Sequence, residues 1–190
     1  MRGKTLCHLS TTVLAAGLLL ASPVRAEVLG MSLAVNGVVC PVCAHSINMG
    51  LRRVEGIKSV KVLMGSRVNL DLKLQPGAWV EPVRLFQQIS LVGYRARQDE
   101  LKLRLRGTVS VSDDHLLLTL TDVTERPLRF RLTTGDISKK QNEKIRAGME
   151  SLKRSLGPDG SQSLTVEGLW RPATAPGEPA SLVLTHVPAS

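Results

Sequence analysis

Residues 67–74 alternate without a slip. Val68, Leu70, Leu72 and Leu74 are apolar, and Arg67, Asn69, Asp71 and Lys73 stand between them. Successive strand side chains point to opposite faces, so this segment fits a sheet with one dry and one wet face. The same period returns at 29–35, where Leu29, Met31, Leu33 and Val35 alternate with Gly30, Ser32 and Ala34. It returns again at 101–111 (LKLRLRGTVSV), with Gly107 as a bend. Gly65-Ser66, Pro76-Gly77 and Asp113-Asp114 are turn dipeptides that separate such runs.

Helical spacing marks three further segments. Residues 44–54 place Ile47, Leu51 and Val54 on one face and stop at Glu55-Gly56. Residues 82–91 bring Val83, Phe86 and Ile89 together, closed by Gly93. Residues 138–156 align Ile145, Met149, Leu152 and Leu156, stopped by Gly157-Pro158. With strands at 29–35, 57–63 and 68–74, and an extended stretch from Tyr94 towards Arg106, the first part reads β-α-β-β-α-β. That is the split βαβ order of ferredoxin-like folds. The rest offers strands at 101–111, 115–121 and 128–133, the long helix, then strands at 164–170 and 182–187. Three strands, a helix and two strands is the order of an OB-like barrel. The expected class is therefore α+β. A ferredoxin-like domain over 27–100 is followed by a small β-rich, OB-like domain with one helix over 101–190.

The first 26 residues read as a leader. Arg2 and Lys4 precede an apolar run at 13–21, and Val24 and Ala26 suit a cut after Ala26. The run is short of the ~20 residues that span a bilayer. The expected product is exported, periplasmic, and without a transmembrane segment. Losing Arg2, Lys4 and Arg25 lowers the formal charge from +9 to +6. Residues 27–106 hold 12 Lys/Arg against 6 Asp/Glu, and 107–190 hold 10 of each, so the excess lies on the first domain.

Cys7 would leave with the leader, and Cys40 and Cys43 remain. One close pair is a site and not a disulfide framework. Two intervening residues let both sulfurs face one point, and a helix start at Cys43 favours a thiolate. Two thiolates with no third obvious ligand suit a soft ion of low coordination number, Cu(I) or Hg(II). Zn(II) fits less well, because a structural zinc site takes four protein ligands.

These residues resemble the heavy-metal-associated domain, the module of periplasmic mercury-binding proteins, copper chaperones and the N-terminal regions of metal-pumping ATPases. The resemblance rests on Gly37, Cys40 and Cys43, on Val54-Glu55-Gly56-Ile57, and on Gly93-Tyr94, and it covers residues 31–97. It implies binding and hand-over between CxxC sites, without catalysis, with Cys40 and Cys43 as ligands. The partner implied is a metal-transporting membrane protein or another CxxC protein. Tyr94 would lie beside the metal loop as a second-shell residue, the alternative being a plain core aromatic. Two such domains could share one ion through four thiolates and form a metal-bridged dimer. The sequence departs from the family where Val38 replaces the usual Met, which bears on loop rigidity and metal preference.

The competing reading is an exported thiol–disulfide oxidoreductase, since Cys-Pro-Val-Cys is similar to the glutaredoxin loop and an exported protein meets oxidising surroundings. Against it, the elements after the first helix lack the thioredoxin-like order and its later cis-proline loop. A c-type haem site fails on spacing, because Ala44 follows Cys43 and His45 comes one residue late. His45 is then a surface histidine or an adventitious third ligand. His115 and His186 read as ordinary strand residues, and Trp79 and Trp170 as packing residues. Aromatic content of 3% gives no base-stacking platform, so no nucleic-acid partner is expected. No enzyme signature is present, and residues 107–190 offer no site of their own.

Overall fold

The computed structural model describes residues 26–135, 138–157 and 160–186. The expected leader, residues 1–26, lies outside them apart from Ala26. Among the described residues no helix is long and apolar enough to cross a membrane.

The chain begins with β1 (Glu27–Asn36), α1 (Pro41–Leu51), β2 (Ile57–Leu63), β3 (Val68–Leu74), α2 (Pro82–Leu91) and β4 (Arg95–Ala96). It continues with β5 (Lys102–Ser112), β6 (His115–Leu120), β7 (Leu128–Thr133), α3 (Lys139–Leu156), β8 (Ser161–Arg171) and β9 (Ala180–His186). One sheet takes in every strand, in the order β2-β3-β1-β5-β6-β7-β9-β8, with β4 on β1 and β5 also on β8. The β5–β8 pairing closes β5, β6, β7, β9 and β8 into a five-stranded barrel.

This overturns the expected fold class. The molecule is mostly β, a closed barrel with extra strands and three described helices, and not a ferredoxin-like domain followed by a separate barrel domain. The deciding contact is β1 on β5, which runs antiparallel from Glu27↔Arg106 to Ser32↔Lys102. The extended stretch expected after Tyr94 is interrupted. β4 is only two residues long, and a 3-10 turn at Gln98–Glu100 follows, where Arg97 pairs with Asp99 at 3.3 Å and Glu100 at 2.9 Å. The chain then returns to β1 as β5. Alternation fixes which face of a strand is dry, and it is silent about which strand lies alongside.

Gly107 is where β5 changes neighbours. One edge of β5 faces β1 up to Arg106 and faces β6 from Thr108 onward. A Cβ at Gly107 would stand 2.6 Å from the Thr119 carbonyl oxygen, so only glycine permits this approach. The β5–β6 hairpin turns on Asp113 and Asp114, both at positive φ (48° and 61°), as two-residue hairpins require.

Leu105, Val109, Leu116, Leu118, Leu120, Phe130, Leu132, Val166, Leu182 and Leu184 are buried in the barrel strands. They belong to the same cluster as Ile47 and Leu51 of α1 and Leu85, Phe86 and Ile89 of α2. At one end α3 lays down Ile145, its Gln141 amide donates to the Thr185 carbonyl at 3.0 Å, and Lys153 meets Asp114 at 3.1 Å. Aromatic residues of the first half also pack on barrel strands. Trp79 meets Phe130 edge-on with centroids 5.8 Å apart, and Phe86 meets Trp170 at 6.2 Å.

Candidate functional site

The cysteine loop grows out of the C-terminal end of β1. Gly37 takes φ 89°, which lets the chain turn off the strand, and Val38 is buried at 7% exposure beneath the turn. Val38 thus occupies the apolar position under the loop. The helix starts earlier than its periodicity indicates. Pro41 opens α1, where its fixed φ suits a first turn and its missing N–H is no loss. Cys40 is the N-cap, in extended conformation, and its Sγ accepts the Cys43 N–H at 3.1 Å. The Ala44 N–H closes the turn on the Cys40 carbonyl at 3.1 Å. Both cysteines therefore belong to the helix start and not to a free loop.

The two sulfurs meet. Cys40 and Cys43, with Cα atoms 5.1 Å apart, are joined as a disulfide. Both are half-buried, and the valines beside them are open to solvent, Val39 at 86% and Val42 at 73% exposure. The pairings Val35↔Val68 and Val35↔Ala96 bring the β2–β3 turn and the segment after α2 to the same end of the sheet. Met64 of that turn and Leu91 at the end of α2 are exposed there as well. An exposed apolar stretch, Val39 and Val42, thus flanks the cysteine pair. Its signal in the sequence is the run Val38-Val39-Cys40-Pro41-Val42-Cys43, where apolar residues at solvent-facing positions break the usual loop chemistry.

The other predicted site residues are Tyr94 and His45. Tyr94 is half-buried against the core, and its ring lies 3.8 Å from where a Gly37 Cβ would stand, at the root of the cysteine turn. Its backbone N–H donates to the Ile89 carbonyl at 3.1 Å, which fixes the segment after α2. His45 is exposed on α1. Among the described residues no three His, Cys, Asp or Glu side chains gather to hold one ion. The donor set at this point is two sulfurs and the helix amide aimed at one of them. That set can do two things: hold a soft cation when reduced, or exchange disulfides when oxidised.

No protein-family model, no curated protein and no solved structure matches this chain. The functional reading rests on the chain's own residues.

Proposed function

We propose that this protein is an exported carrier that holds one soft ion, Cu(I) or Hg(II), between Cys40 and Cys43. It exchanges the ion with a metal-transporting membrane protein or another CxxC protein. The observation that carries the reading is the convergence of both sulfurs at a half-open helix start, with no third protein ligand beside them among the described residues. Two thiolates leave a soft ion under-coordinated and open to attack by an incoming thiol, which is what hand-over needs. The Cys43 N–H on Cys40 favours negative sulfur there. The exposed Val39 and Val42 give a partner something to rest on, and the basic excess of the first half favours acidic partners. Loading requires the dithiol, so the disulfide must first take two electrons from a reductant such as a small thiol. The ion is cargo and leaves with the partner.

A second reading has its own observation, the disulfide itself. As an exchanger, the pair would accept attack by a substrate thiolate, pass through a mixed disulfide, and leave a substrate disulfide and the reduced pair. One experiment separates the two. Reduced residues 27–190 are titrated anaerobically with chromophoric Cu(I) and Hg(II) competitors beside the Cys40→Ser/Cys43→Ser variant. We expect one tightly held ion per chain, or one per two chains if dimers share it, and none in the variant. Absence of competition for either ion, with rapid disulfide exchange on a thiol peptide, would replace the carrier by the exchanger.

A further inference from the structure

We propose that the outer face of α1 and α2 rests on the surface of an anionic lipid bilayer. Each helix turns one side to the core: α1 buries Ile47, Gly50 and Leu51, and α2 buries Leu85, Phe86 and Ile89. The opposite side of a surface helix is ordinarily charged. The third helix follows that rule, with Lys139, Lys140, Glu143, Lys144, Arg146 and Glu150 along its length. In contrast, α1 carries no Asp, Glu, Lys or Arg from Pro41 to Leu51, and α2 carries only Arg84. Their outward positions hold apolar side chains instead. Val42 and Met49, at i and i+7 of α1, are exposed, as are Val83 and Leu91, at i and i+8 of α2. Every exposed large apolar side chain among the described residues lies between Val39 and Leu91. Leu63 and Met64 belong to the β2–β3 turn, and the others stand on the two helices or just before α1.

The charges around these helices select the occupant. Residues 37–54 and 82–97 contain five arginines and no carboxylate. Arg97 is neutralised by Asp99 and Glu100. Arg52, Arg53, Arg84 and Arg95 are exposed, and among the described residues their guanidiniums hold neither an ion pair nor a hydrogen bond. Two further carboxylates stand at the margins, Glu55 after α1 and Glu81 before α2, and Glu81 accepts the Trp79 indole N–H at 2.7 Å. Even with both counted as free, the unpaired cations exceed them four to two. An anionic bilayer meets both demands at once: its headgroups offer phosphate oxygens to arginines, and its acyl boundary takes up Val, Met and Leu.

Shape points the same way. The helices touch where a Cβ at Gly50 would stand 2.6 Å from Val92 Cγ1, so no furrow is open between them there for a partner helix. A partner strand finds no free backbone edge on a helical face either. A fluid bilayer needs no matching groove. The contact is lateral, by the sides of helices, and no helix among the described residues is long and apolar enough to cross. Cys40 caps α1 and Cys43 lies in its first turn, so the pair would be held at the bilayer surface, where a membrane transporter presents its own ligands. That consequence rests on the carrier reading. The binding itself does not.

Residues 27–190, free of the expected leader, are sedimented with vesicles of phosphatidylcholine alone and with vesicles of equal parts phosphatidylcholine and phosphatidylglycerol. We expect binding to the mixed vesicles, weakened by salt, and binding at least about tenfold weaker to phosphatidylcholine alone. Val42→Ser/Val83→Ser/Leu91→Ser should lower affinity for the mixed vesicles at least about tenfold. Arg52→Gln/Arg53→Gln/Arg84→Gln should lower it about tenfold or more and flatten the salt dependence. Matching far-ultraviolet spectra and melting curves would show that these outward substitutions leave the fold intact. Lys139→Gln/Lys140→Gln/Lys144→Gln on the third helix should leave binding unchanged, as should Cys40→Ser/Cys43→Ser. No sedimentation with the mixed vesicles, undiminished binding of the serine variant, or an equal loss from the third-helix lysines would each overturn the proposal. Self-association that the serine variant abolishes, without vesicle binding, would overturn it too and assign the face to a second copy of the chain.

Discussion

The cysteine-bearing half and the barrel half are made of the same material, Leu and Val alternating along strands, and they end in opposite kinds of surface. The first half is an open piece of sheet. β2 is its free edge, and Lys58 and Lys61 are exposed along that strand, where charge discourages pairing with another chain. Its chemistry sits at one end on backbone that has just left a strand, with valines in solvent beside the sulfurs. The barrel has every strand paired on both sides and buries its apolar side chains, and its polar features lie on an outer wall. The difference shows where each kind of recognition can live. Thiolate exchange needs atoms that a partner can reach end-on, and an open sheet end gives that. A closed wall holds its outward side chains at a fixed spacing.

The comparison would be broken most sharply at Leu105. This residue is fully buried, and it pairs with Val28 of β1 and Val166 of β8. We expect Leu105→Ala to cost about 2–5 kcal/mol in denaturant unfolding. Hydrogen exchange should rise in β1 and β6 alike. Loosening of β6 alone would mean that the halves unfold independently despite the shared sheet.

A smaller effect is expected at the change of neighbours. Gly107→Ala drives a methyl into the Thr119 carbonyl and should lower stability by about 1–3 kcal/mol. Protection should be lost first around the β5–β6 pairing at residues 108–112. An unchanged denaturation midpoint would show that the strand bends without needing glycine.

The smallest effect sharpens the junction itself. The Arg97 guanidinium beside Asp99 holds its carboxyl below the usual carboxylate range, with Arg171 adding to the pull, and the Arg171 side chain also bonds the Asp99 carbonyl at 2.9 Å. A lowered folded-state pKa stabilises above the ordinary value near 3.8 and loses that contribution as pH falls through the lower folded value. Asp99 is exposed, so solvent screening limits the effect of Asp99→Asn to about 0.5 kcal/mol or less. The difference should be present at pH 6 and vanish in strongly acid solution. A difference that persisted at low pH would mean that the side chain acts through something other than its charge.

Much of the secondary structure could be read before any coordinates, and specific residues show why the rest could not. The alternation at 68–74 and the Asp113-Asp114 turn carry their conformation in local chemistry. The partner of residues 102–106 does not, because Leu103 and Leu105 look the same whether β1 or another barrel strand lies beside them. The early start of α1 was available in Pro41, whose preference for the first helical turn outweighs the apolar spacing that begins at Ala44. Trp79 and Trp170 read as packing residues, and they do pack, yet only the folded chain shows that they meet Phe130 and Phe86 at one end of a barrel.

Because one edge of β5 belongs first to β1 and then to β6, the molecule cannot be taken apart like two beads on a string. A cut near residue 101 would leave the Glu27–Ser32 stretch with bare amides and carbonyls, and the facing stretch of β5 equally bare. Each fragment would be sticky in the way amyloid-forming segments are. Neither half is a portable module, because both contribute strands to one continuous sheet.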